Sequence, residues 1–82
     1  MPALAPIPPS VLKDVLTKDG WSIYDEDSYN WILMKGNTIL PPVPKRGGVV
    51  AMEVHEHLLG AAGIPLDRYF KLLKEVGHSH YN

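Results

Sequence analysis

Val11, Leu12, Val15 and Leu16 follow Pro8-Pro9-Ser10 at i, i+1, i+4 and i+5, a spacing that predicts a first helix with one apolar stripe, capped by Ser10 and stopped by Gly20. From there the period changes to two. Trp21 and Ile23 alternate with Ser22 and Tyr24 up to an acidic turn at Asp25-Glu26-Asp27, which predicts a short strand. Tyr29 to Met34 is rich in aromatic and β-branched side chains, and Lys35-Gly36-Asn37 separates it from Thr38-Ile39-Leu40 at hairpin spacing. Pro41, Pro42 and Pro44 remove backbone donors and end that third strand, and Lys45-Arg46-Gly47-Gly48 reads as a loop. Val50, Val54, Leu58 and Ala61 predict a helix from Val49 to Ala62 closed by Gly63. Leu66, Tyr69, Phe70, Leu73 and Val76 trace the buried face of another helix, opened by Pro65 and ended by Gly77.

The order is α-β-β-β-α-α, an α+β fold class. A three-stranded antiparallel sheet with the helices packed on one face buries these stripes economically. Residues 1–9 read as a proline-rich arm, 10–77 as a single domain and 78–82 as a flexible tail. Alternation puts Tyr29, Trp31 and Leu33 on one side of the middle strand and Asn30, Ile32 and Met34 on the other. Both sides are apolar, helices cover one, and the other is expected to stay open or to meet a partner.

Composition narrows the function classes. An 82-residue chain that is 45% apolar and 21% charged forms one folded domain. At this size only about 60% of the extended surface is buried, which makes self-association a realistic route to stability. With no cysteine there is no disulfide, thiol nucleophile or cysteine-based zinc site, and a cytoplasmic location is expected. Four prolines among the first nine residues oppose a signal helix, and apolar runs stop at four residues, so no membrane partner is expected.

Lys35, Lys45 and Arg46 are the only charged side chains between Ser28 and Met52, a basic middle inside a chain of net charge −1. Phosphate could meet those cations together with helix amides. Against this, the pI is near 6.4 and Asp25, Glu26 and Asp27 flank the same region. Asp19, Asp25 and Asp27 read as local hydrogen-bonding residues at helix ends and turns. His55 and His57 are two apart on a helix and point to opposite sides, so Glu53 to His57 reads as a solvated face with an i, i+4 ion pair; no metal or cofactor is expected. Trp21 belongs to the core, whereas Tyr29 and Trp31 suit either stacking on bases or anchoring a protein.

Lys18-Asp19-Gly20-Trp21, Thr38-Ile39-Leu40-Pro41, Pro44-Lys45-Arg46-Gly47 and Leu59-Gly60-Ala61-Ala62-Gly63-Ile64, followed by Leu66 to Leu73, occur in the order and spacing of landmarks in another family. On these segments, over about residues 10 to 74, the chain resembles the HicA family of toxin–antitoxin proteins. The resemblance implies a double-stranded-RNA-binding-like fold, metal-independent cleavage of RNA and a HicB-like antitoxin as partner. It also implies a histidine at the start of the second strand, in a Gly-Ser-His segment. Here that segment is Asp27-Ser28-Tyr29-Asn30: Ser28 is kept, and Tyr29 replaces the imidazole with a phenol, which ionises near pH ~10 and is poorly suited to proton transfer at neutral pH. The expectation is therefore a HicA-like domain that binds RNA or a protein without a catalytic residue, through Ser28, Tyr29, Trp31, Lys35, Lys45 and Arg46. Two alternatives stand beside it: an active mRNA-cleaving toxin, and a homo-oligomer packed through Tyr29 and Trp31.

Overall fold

The structure is a computed structural model and describes residues 4–77; the expected tail at 78–82 lies outside the described residues. Helix α1 (Pro9–Lys18) leads into β1 (Ser22–Glu26), β2 (Asn30–Lys35), β3 (Thr38–Ile39) and β4 (Val43–Pro44), followed by α2 (Met52–Ala62) and α3 (Leu66–Glu75). The α+β class and the element order agree with the sequence pattern, with one refinement. β1 pairs antiparallel with one side of β2, while β3 and β4 share its other side, β3 against Met34 and Lys35 and β4 against Asn30 and Trp31. The third strand is thus interrupted rather than ended by proline: Pro41-Pro42 cannot continue the ladder, and pairing resumes at Val43-Pro44 on an edge where a missing N–H is tolerated.

Helix α1 buries Val11, Leu12, Val15 and Leu16 as its spacing predicts. Its start differs. Pro8, not Ser10, holds the cap position and Pro9 begins the helix, because a proline there forfeits only an N–H that has no helical partner. At its other end Gly20 adopts φ +108°, its N–H donates to the Thr17 carbonyl and that of Trp21 to the Leu16 carbonyl. This reversal turns Trp21 back into the core. α2 ends by the same device. Gly63 at φ +70° lets the Ile64 N–H reach the Leu59 carbonyl, and Ile64 is buried.

Two buried faces are rotated from their predicted positions. The chain bends at residues 47–49, the Val50 N–H donates to the Ile7 carbonyl at 2.9 Å, and α2 begins only at Met52. Its buried residues are His55, Leu58 and Leu59, leaving Val54 and Ala61 exposed. The expected solvated Glu53–His57 face is therefore corrected in part: His57 is exposed, but His55 is core. On α3, Tyr69, Leu72 and Leu73 are buried, Phe70 and Val76 pack against the core and Leu66 points outward. The proline-rich arm takes part as well, with Ile7 buried and Leu4 packed against the core.

Leu33 and Val43 are fully buried on the helix-covered side of the sheet. Register puts Ile39 beside Met34 on the opposite side, which helices leave open; Ile39 is exposed there, and Ile32 and Met34 are half-buried. Both sheet edges resist a further strand. β1 carries a bulge between Ile23 and Asp25 and an Asp25 carboxylate that accepts the Glu26 N–H, and the far edge is broken by prolines. Ile23, on this bulged edge, is exposed.

Truncating the covered side of β2 should be costly and truncating the open side cheap. Leu33→Ala is expected to lower unfolding free energy in urea by about 3 kcal/mol, and Ile39→Ala by well under ~1 kcal/mol. Equal losses would refute this assignment of the two faces.

Candidate binding surface

The turn between β1 and β2 is organised by Asp27. Its Oδ1 accepts the backbone N–H groups of Tyr29 at 2.7 Å and Asn30 at 2.8 Å, and its own N–H donates to the Asn30 carbonyl. This is the local turn chemistry that aspartate supplies in a sequence such as Asp-Ser-Tyr-Asn. The two backbone hydrogen bonds hold the Asp27 carboxyl below the ordinary aspartate value of 3.8; burial opposes them and Lys45 adds a smaller electrostatic effect in the same direction. Tyr29 is left projecting from the turn, 64% exposed.

The segment after β4 closes over this turn. The Lys45 N–H donates to the Tyr29 carbonyl at 2.9 Å, and its ammonium donates to Glu26 Oε2 at 2.6 Å and to the Asp27 carbonyl at 2.9 Å. Arg46 Nε donates to the Ser28 carbonyl at 2.9 Å while the guanidinium lies 4.6 Å from the centre of the Tyr29 ring. Trp31 sits between two ammonium groups, Lys13 at 5.5 Å and Lys45 at 5.6 Å from its ring centre. Each such contact is worth about 0.5–1 kcal/mol at an exposed site, enough to fix side-chain direction without locking it.

Five of the six expected site residues, Ser28, Tyr29, Trp31, Lys45 and Arg46, therefore form one corner. Lys35 does not join them. It lies at the other end of β2, roughly 17 Å from Asn30 at about 3.4 Å per residue. There its ammonium donates to the Asp19 carbonyl at 3.0 Å and lies 5.7 Å from the Trp21 ring centre. Arg68 meets the same Asp19 carboxylate at 2.7 Å, so Asp19 ties the end of α1 to β2 and α3. The basic middle of the sequence is thus divided between two ends of one strand, and both of its lysines face acids.

Two contributors escaped the sequence reading. Glu26, taken there as a repelling acid, is the partner of Lys45, and Lys13 reaches Trp31. The Glu26–Lys45 pairing joins residues 19 apart and depends on the folded sheet, so local pattern carries no trace of it. Chemically the corner offers an exposed phenol, an indole and a guanidinium on a hydrogen-bonded turn. Among the described residues no histidine hydrogen-bonds or stacks with Ser28 or Tyr29: His55 is in the core against Tyr69, and His57 is exposed on α2. Nor do the described residues contain a group of three side chains suited to a metal ion, or a helix long and apolar enough to cross a membrane. Comparison with family models, curated proteins and solved structures finds no match to the chain.

Because folding lowers the Asp27 value, its contribution to stability is present above 3.8 and is lost as pH falls through the lower folded-state value. Carboxyl NMR should show Asp27 titrating below 3.8, and still below it in Lys45→Ala, since the backbone bonds dominate. Return to 3.8 in that variant would reverse the ranking of causes.

Proposed function

We propose that this chain is a binding module without ribonuclease activity, laid out like a HicA protein, that holds a protein partner at the Ser28, Tyr29, Trp31, Lys45 and Arg46 corner. One observation carries the reading: the Tyr29 ring and the Arg46 guanidinium over it are presented outward at a fixed turn, while the nearby ammonium of Lys45 is engaged by Glu26. Tyrosine, tryptophan and arginine are the side chains that most often dominate protein interfaces, and they do so without a net positive field. A phosphate backbone, in contrast, would have to displace Glu26 and approach Asp25 and Asp27. Tyr29 at the position of the family's histidine supports a role without proton transfer. A HicB-like antitoxin is the partner the resemblance implies.

A second reading, RNA binding, is favoured by Arg46. Among the described residues it forms no ion pair, and its stack on Tyr29 is a platform suited to an unpaired base.

Wild-type protein and a Tyr29→Ala/Arg46→Ala double variant, used as baits, test the first reading. A protein retained by the wild type and lost from the variant supports it, and identical retention overturns it. Titration with a labelled single-stranded RNA at low and high salt tests the second, in which Lys45→Ala and Arg46→Ala each lower the salt slope by about one. RNA cleavage that survives chelator and disappears in Tyr29→Phe would replace both readings with the toxin enzyme. A dimer in light scattering that Trp31→Ala dissolves would favour self-association.

A further inference from the structure

Among the described residues His55 is the only buried polar or charged side chain outside the aromatic groups, with no solvent exposure. Among the described residues neither ring nitrogen has a hydrogen-bond partner, and the nearby Tyr69 hydroxyl is likewise unpaired. The two rings meet edge to face, centroids 5.3 Å apart at 67°. A neutral imidazole packs there as a flat, largely apolar ring. An imidazolium would be a buried charge without acceptor or counter-ion, a state that proteins avoid by releasing the group or the proton.

No charged neighbour relieves this. Burial alone holds the His55 value below the ordinary 6.5, with no electrostatic contribution from any side chain. On its own helix Glu53, Glu56 and His57 are exposed. Across from it, Arg68 of α3 is committed to Asp19, Lys18 of α1 to Glu75 of α3, and Lys13 of α1 to Asp14. The remaining groups of α3, Asp67, Lys71 and Lys74, are exposed. The buried side chains contributed by the sheet and the arm are apolar.

The helix that carries His55 packs least closely on the other elements. It contains Gly60 within its last turn, and one of its three buried side chains is His55 itself. Glycine in a helix costs about 1 kcal/mol relative to alanine. α1, with Val11, Leu12, Val15 and Leu16 buried, packs on α3, β1 and β4.

We propose that α2 is a pH-sensitive latch that docks only while His55 is neutral, and that proton uptake by the imidazole frees α2 from Tyr69 while α1, α3 and the sheet stay packed. Release uncovers Leu58, Leu59 and Tyr69, a new apolar surface available only in acid. The sign follows from linkage: the undocked ring binds its proton more readily, so docking is complete above about 6.5 and weakens as pH falls toward the folded-state value.

Hydrogen exchange across about pH 7.5 to 5, corrected for intrinsic rates, tests the latch. Protection of α2 amides should fall up to tenfold per pH unit below about 6.5 while α1 amides hold, and His55→Phe should flatten the α2 profile. His57→Gln should behave as wild type. Simultaneous loss of protection in α1 and α2, or an unchanged profile in His55→Phe, would overturn the proposal. Should His55→Phe fail to fold, imidazole NMR of the wild type decides: a His55 inflection at or above 6.5 refutes the latch, and one below it supports it.

Discussion

Among the described residues β2 is the one strand that pairs on both sides, and its strict alternation governs the rest of the fold. With Leu33 under the helices, Trp31 must lie on the same side and Ile32 and Met34 on the other. A slip of one residue would invert every one of these placements. The same alternation carries the corner of Tyr29, Trp31, Lys45 and Arg46 at the start of the strand and the Asp19 cluster at its end, so sheet register and surface chemistry are one constraint. Both edges are guarded by a bulge, acids or prolines, which leaves faces and corners as the surfaces for contact.

Charge in this protein is paired across elements more than along the sequence. Glu26 meets Lys45, and Asp19 meets both Lys35 and Arg68, each joining segments distant in the chain. Exposed pairs of this kind add little stability singly. Their consequence is directional: lysines that look like a phosphate-binding set in sequence are held by carboxylates. What remains outward-facing at the corner is Tyr29 with Arg46 laid over it.

The core closes differently on its two sides. α1 is held by an unbroken aliphatic stripe, and the Gly20 turn returns Trp21 to the interior. α2 also uses a glycine turn to return Ile64, but between its ends it buries, beside Leu58 and Leu59, an imidazole set against a phenol. The unsatisfied ring atoms make this contact conditional on protonation state, whereas the aliphatic contacts of α1 are indifferent to it.

Local pattern was sufficient for the element order, the α1 stripe, the hairpin around Gly36-Asn37 and the helix stops at Gly20 and Gly63, because each is set by neighbours within one or two turns of chain. It was also sufficient to gather Ser28, Tyr29, Trp31, Lys45 and Arg46 as candidates. The α2 face misled it, since a valine at Val54 outranks a histidine in any hydrophobic count, and only the anchoring of Val50 to Ile7 decides where that helix begins. The tertiary structure alone paired Lys35 with Asp19, brought Glu26 to Lys45 and enclosed His55 against Tyr69. Those outcomes depend on which surfaces meet after the chain has folded back on itself, and no spacing along a sequence encodes a distance between segments that touch only through the core.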